Sequence, residues 1–140
     1  MVKAVAPHMI KKKAGSIVHI IGNAAWTPSA KFLPGSTTNA ALLSFTKGIS
    51  KELAEHNVRV NAISPGVTAT DRANKLADQR ALAKGITVEE ENKNVLPSIP
   101  MGKLVDPDEI ASLALLLVFD LVPSRTGAEM NMDGGTRPGM

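Results

Sequence analysis

Two short, almost unbroken apolar runs separated by one long helical stretch narrow the possible folds more than any other feature of this chain. The first run, Ser16-Ile17-Val18-His19-Ile20-Ile21, is rich in β-branched residues and lies between Gly15 and Gly22. A run of that kind predicts a strand covered on both faces, as in parallel sheets. A loop from Asn23 to Gly35 with Pro28 and Pro34 follows. From Ser36 to Glu55 the apolar residues Leu42, Phe45, Ile49 and Leu53 recur every three or four positions, with Ala40 and Ala41 as a small-residue face. That spacing predicts an amphipathic helix with Ser36 or Thr37 as its N-cap. Asn57-Val58-Arg59-Val60-Asn61-Ala62-Ile63 is the second predicted strand, ended by Ser64-Pro65-Gly66.

Residues Asp71 to Pro100 are polar and predict two short helical pieces, one opened by the capping-box spacing of Thr87 and Glu90. Asp106-Pro107-Asp108-Glu109 opens another helix, with Asp as N-cap, Pro at N1 and Glu at N3. Ile110 to Phe119 is apolar almost all round, which predicts burial on more than one side. Ala128-Glu129-Met130-Asn131-Met132 alternates as a third strand would, closed by Asp133-Gly134-Gly135. Strands alternating with helices define the α/β class, with parallel strands joined by right-handed crossovers. Residues Val2 to Lys12 predict a helix feeding the first strand, so a single domain over 1–140 is expected to open partway through its architecture.

The balance of residues removes several function classes. The chain has no cysteine, which leaves no disulfide framework, thiolate nucleophile or Cys-based zinc site, and no metal site is predicted. The formal net charge is +3, the only basic run is Lys11-Lys12-Lys13, and the aromatics are Trp26, Phe32, Phe45 and Phe119. A nucleic-acid surface needs a basic stripe, often with stacking platforms, and neither is present. The basic run reads as a solvated helix end. Ile110 to Phe119 is too short to span a bilayer, and the charges near Met1 follow the apolar residues, the wrong order for a secretory signal. The expected location is the cytoplasm.

Four strings in register resemble the C-terminal half of a short-chain dehydrogenase/reductase: GSIVHIIG, NAALLSFTKGISKELAEHNVRVNAISPGVTAT, IPMGKLVDPDEIASLALLLVFDL and TGAEMNMDGG. The resemblance runs from about Val5 to Gly135. It implies part of a doubly wound, Rossmann-type parallel sheet with flanking helices, three strands of it in this chain, and NAD or NADP as cofactor. In open α/β sheets ligands lie beyond the carboxyl ends of the strands, where Pro65-Gly66-Val67-Thr68-Ala69-Thr70 stands. By resemblance, Pro65, Gly66, Thr68 and Thr70 meet the nicotinamide carboxamide, Thr68 through its backbone and Thr70 through its hydroxyl.

The resemblance also implies a catalytic Ser and a Tyr-x-x-x-Lys pair, in which the Lys cation lowers the phenol pKa from about 10. Aligned on Asn39-Ala40-Ala41-Leu42, those positions hold Gly22, Gly35 and Asn39, and the chain contains no tyrosine. Phe32 is nearby but has nothing to titrate. Ser36 and Thr37 are unactivated hydroxyls, His19 reads as a packed histidine, His56 as a cation at a helix end, and His8 has no evident partner. The Gly134–Gly139 segment follows the last strand with no helix after it, so it cannot be a phosphate cradle.

The resemblance therefore implies an NAD(P)-dependent oxidoreductase acting on a small alcohol or carbonyl compound, truncated or divergent here and inactive alone. The alternative is a non-catalytic remnant that oligomerises or binds a partner. The strand at Ser16–Ile21 should lack one neighbour, leaving an open edge that favours association, and the Ser36–Glu55 helix resembles the family's subunit-contact helix. A homo-oligomer is expected.

Overall fold

A computed structural model describes residues 1–138; Gly139 lies outside them, so the sequence expectation for the last glycine segment is tested only up to Pro138. The elements are α1 (Val2–Lys12), β1 (Gly15–Ile20), α2 (Leu33–Ala54), β2 (Val58–Pro65), α3 (Asp71–Lys84), α4 (Val88–Val95), α5 (Pro107–Val118) and β3 (Glu129–Met132). The strands form one parallel sheet in the order β1-β2-β3. Ile20 is in register with Ile63, and Pro65 with Met132, so the carboxyl ends of all three strands meet at one rim.

The alternation of side chains along β2 sorts the layers. Val58 and Val60 face α1 and α2 in a core with Ala6, Ile17, Ile49 and Leu53. Arg59 points the other way, toward α5, as does Ser16 of β1, whose hydroxyl donates to the Leu117 carbonyl at 2.9 Å. Every residue of β2 is buried, as a central parallel strand requires. Among the described residues the outer side of β1 has no neighbouring strand, and Ile20 at its end is exposed.

Several sequence expectations need correcting. α2 starts at Leu33, three residues before Ser36, with Phe32 in the N-cap position and Pro34 in the first turn. Proline suits that turn because its missing N–H would be unpaired anyway. Ser36 and Thr37 are therefore inside the helix, and their hydroxyls donate back to the carbonyls of Phe32 and Leu33. The buried stripe of α2 is the small polar row Ser36, Thr46 and Ser50 together with Leu53, whereas Leu42 and Phe45 are exposed. Short side chains let the helix lie close to β2, and their hydroxyls bond to helix carbonyls and carry no unpaired group into the core.

β1 spans Gly15–Ile20 rather than Ser16–Ile21, β2 runs on to Pro65, and Asn57 has φ 57° and stands outside the strand. α3 is fourteen residues long, not a short piece. α5 buries one face only: Leu117 is enclosed, while Leu115, Leu116, Val118 and Phe119 are exposed. Its apolar residues exceed what this sheet can cover. The expected helix starts hold at Asp106, whose carboxylate accepts from the Asp108 N–H, and at the Thr87–Glu90 capping box.

His19 packs as expected. Its Nδ1 lies 2.8 Å from the Thr46 hydroxyl, which itself donates to the Leu42 carbonyl. A hydroxyl has one proton to give, so it accepts here and the proton sits on Nδ1. Burial lowers the His19 pKa. Between β2 and α5, α3 and α4 close on each other through Glu91, which is 1% exposed and paired with Arg80 and Lys84. Among the described residues no helix is long and apolar enough to cross a membrane, and no group of three or more His, Cys, Asp and Glu is placed to hold a metal ion.

Candidate functional site

At the carboxyl rim the chain leaves β1 at Ile20, and the Ile21 N–H still reaches the Ile63 carbonyl at 2.8 Å. Gly22 comes next. Its N–H donates to Asn39 Oδ1 at 3.1 Å, and Asn39 Nδ2 donates to the Gly35 carbonyl at 2.9 Å. One neutral amide therefore joins the three positions 22, 35 and 39 and is engaged at both ends. Gly35 is also closed off: a Cβ there would fall on Cε1 and Cζ of the Phe32 ring.

On the other side of the rim stands Asp133, directly after β3. Asn23 is buried and donates Nδ2 to Asp133 Oδ2 at 2.9 Å. Gly66 is pressed against the same residue, since a Cβ at 66 would lie 2.9 Å from Asp133 Cα. Gly22, next to Asn23, and Gly66, against Asp133, thus flank the Asn23–Asp133 bond. Asp133 also accepts from the backbone N–H groups of Gly135 and Arg137 at 3.0 and 2.7 Å. The glycine turn after β3 is therefore wrapped around its own carboxylate.

Burial of Asp133 is the largest single influence on its carboxyl and pushes the pKa up. Hydrogen bonds from Asn131, Arg137, Gly135 and Asn23 outweigh it, and the pKa falls below the ordinary aspartate range. A carboxyl depressed in the native state adds stability above its unfolded pKa and loses it as the pH falls through the native one. The stability gap between the native chain and Asp133→Asn should therefore shrink between about pH 5 and pH 2. Thermal melts across that range check it; a constant gap contradicts it.

The Pro65–Thr70 segment is pinned by the Ala69 N–H to Val105 carbonyl bond and the Val105 N–H to Val67 carbonyl bond, both 2.9 Å. The Thr68 hydroxyl donates to the Gly66 carbonyl at 3.1 Å. The Thr68 backbone N–H has no partner among the described residues. Thr70 is the N-cap of α3: its oxygen accepts from the Ala73 N–H at 3.3 Å. Its hydroxyl therefore already has a local role that a ligand would share.

A second polar group on the same rim was not anticipated from the sequence. Glu129 accepts from Ser64 Oγ at 2.6 Å and Trp26 Nε1 at 2.8 Å, and pairs with Arg137 at 3.2 Å. The Arg137 guanidinium lies 3.7 Å over the Trp26 ring. The group ties the loop after β1 to the chain after β3. Its only sequence signal was an acidic residue beginning a half-buried strand, where a carboxylate gains from a nearby donor.

The comparisons with known proteins agree on kinship. The family profile described as "Enoyl-(Acyl carrier protein) reductase" matches residues 1–137. The chain is 32% identical over 135 residues to the NADPH-dependent reductase BacG of Bacillus subtilis, covering 96% of this chain and 52% of that protein. It is 35% identical over 127 residues to the 3-oxoacyl-[acyl-carrier-protein] reductase FabG of Aquifex aeolicus, covering 91% and 47%. The solved structure of YwfH, an NADPH-dependent reductase involved in bacilysin biosynthesis, superposes with a TM-score of 0.93 at 31% identity, over 99% of this chain and 53% of that one. The chain spans about half the length of the curated relatives it matches. With the parallel sheet and these likenesses taken together, the chain belongs to the short-chain dehydrogenase/reductase family.

Proposed function

We propose that this chain forms the nicotinamide-side wall of an NAD(P)-dependent oxidoreductase that acts on an alcohol or carbonyl compound, and that the chain alone transfers no proton. The observation that carries this reading is the Asn39 amide. It bridges Gly22 and Gly35, the positions at which the family resemblance calls for the serine and tyrosine, and it occupies the lysine position itself. No ionisable side chain stands at any of the three. The Gly66 turn lies so close to Asp133 that no side chain could stand there, and the Thr68 backbone would meet the carboxamide. When bound, the dinucleotide supplies the hydride chemistry. Thr68 and Thr70 hold its amide end in place, and Asn39 keeps the opposite wall rigid.

The open edge of β1 and the exposed Leu42–Phe45 face of α2 favour a second reading, an assembling remnant without catalysis. One experiment separates the two. NADH and NADPH are titrated into the purified chain while energy transfer from Trp26 to the reduced nicotinamide is followed, with light scattering on the same samples and a carbonyl-reduction assay alongside. The first reading expects weak saturable binding and no turnover. A defined oligomer with no binding of either dinucleotide leaves only the remnant, and turnover by the chain alone overturns the missing proton relay.

A further inference from the structure

We infer that a cavity beside β3 is a binding site for a small organic cation, a primary ammonium carried on an apolar body. The cavity measures about 330 Å³ and is lined by the segment from Met101 to Val105, the end of β3 with the turn that follows it, and Glu109 in the first turn of α5. None of Gly22, Gly35, Asn39, Thr68 and Thr70 lines it, so it is independent of the reading above. Its volume is about twice the roughly 150 Å³ that holds one benzene ring, and it falls within the size range of small-molecule sites. Its walls are fixed by bonds within the chain. Val105 is buried, its N–H donates to the Val67 carbonyl and its carbonyl accepts from the Ala69 N–H, both at 2.9 Å. The Met101 N–H donates to the Gly134 carbonyl at 3.0 Å, and a Cβ on Gly134 would strike Ile99, so the turn after β3 is packed against this segment. Asp106 caps α5 and so fixes the turn that carries Glu109.

The charges select the ligand class. Among the lining side chains Lys103 is the one cation, against the carboxylates of Glu109 and Asp133. Asp133 already accepts from Asn23, Gly135 and Arg137, so it adds negative field rather than a free acceptor. Glu109 Oε1 accepts from Lys103 Nζ at 2.8 Å, while its Oε2 has no partner among the described residues. The hydrogen bond to Glu109 and the charge of Glu109, with a smaller share from Asp106, raise the Lys103 pKa, so the field here favours a cation. An ammonium on Glu109 Oε2, with its hydrocarbon along Leu104, Val105 and Met132, satisfies that oxygen and buries apolar area at once. A carboxylate would meet two like charges. An uncharged hydrocarbon would cover Glu109 and supply no donor. Met101 and Met132 both line the cavity, and their flexible thioethers adapt to bodies of different shape.

The test uses the unaltered chain with isotope-labelled methionine methyl groups, titrated at neutral pH with hexylamine, hexanol and hexanoate and followed by NMR. Hexylamine should shift the Met101 and Met132 methyl signals saturably and leave Met9, which packs on the α1 side of the sheet, in place. It should bind on the order of tenfold more tightly than hexanoate, with hexanol between them. Unmoved Met101 and Met132 signals overturn the site, as does a shift that Met9 shares. Hexanol or hexanoate binding as tightly as hexylamine overturns the ligand class. Two substitutions then separate attraction to Glu109 from adherence to an apolar surface. Glu109→Gln, which keeps a residue suited to the third helical position, should weaken hexylamine about fivefold and leave hexanol unchanged. Lys103→Gln should strengthen hexylamine about twofold, because the resident cation no longer competes. Any other pair of directions overturns Glu109 as the anchor and the proposal with it. Circular dichroism verifies that both variants fold. No dinucleotide enters the test, so its outcome and that of the cofactor titration are read separately.

Discussion

Arg59→Met should lower the unfolding free energy by about 3 kcal/mol, which for a chain of this size lowers Tm by roughly 10 °C. Arg59 is the second residue of the fully buried strand β2 and is 7% exposed. Its guanidinium donates to the carbonyls of Leu117, Val118 and Phe119 at 2.7, 3.4 and 3.3 Å. These are carbonyls that the end of α5 leaves without helical partners, and a cation there also suits the helix dipole. Methionine keeps most of the packing volume and removes every donor. The ion pair with Asp120 contributes little, because that carboxylate is 92% exposed. Asp120→Asn should therefore change stability by no more than about 0.5 kcal/mol. Arg59→Lys should recover only part of the loss, since an ammonium cannot span several carbonyls as a planar fork does. Chemical denaturation of the three variants tests the ordering. If Asp120→Asn matches Arg59→Met, the ion pair and not the helix end is what Arg59 serves.

Gly66→Ala should cost about 2 kcal/mol, the usual range for forcing a methyl into a packed site, and should disturb the rim as well. The obstacle is Asp133 Cα, which is main chain and cannot swing aside. The Gly66 N–H is also bonded to the Met132 carbonyl at 2.9 Å, the last rung between β2 and β3. Either that rung opens, or Asp133 moves away from Asn23. Hydrogen exchange distinguishes the two: early exchange at Gly66 marks the first, and loss of the Asn23 side-chain amide signal marks the second. Unaltered exchange with unaltered stability would show that the close approach carries no weight.

The sheet was readable because its residues face one environment. β2 is buried on both faces, so its sequence needed no periodicity to be recognised, and the Asp106-Pro107 start of α5 is a local signal complete within four residues. The start of α2 was not readable. Ser36 and Thr37 look like caps, and only tertiary packing reveals that Pro34 begins the helix and that hydroxyls line its buried side. The one-sided burial of α5 was hidden for a different reason. Apolar residues report what a helix could cover, whereas cover depends on what lies opposite. In the site, Gly22, Gly35 and Asn39 were singled out only through the family resemblance, and their common bond through one amide was not legible at all. The Asn23–Asp133 contact joins residues 110 positions apart, beyond any local pattern. Arg59 did leave a trace: a lone cation within a strand has to find carbonyls or a carboxylate when the strand is buried.

The pairing of Thr68 with Val105 closes the base of the excursion that carries α3 and α4. Because the bridge clamps the base of the excursion, the helices beyond it can be lengthened, shortened or exchanged while the strands keep their register. Loop closure penalises added length only slowly, about 0.6 kcal/mol for each doubling. A graft that begins after Ala69 and ends before Val105 should therefore leave the barrier to unfolding the strands nearly unchanged. Selection could then try new coverings for the rim without rebuilding what lies beneath.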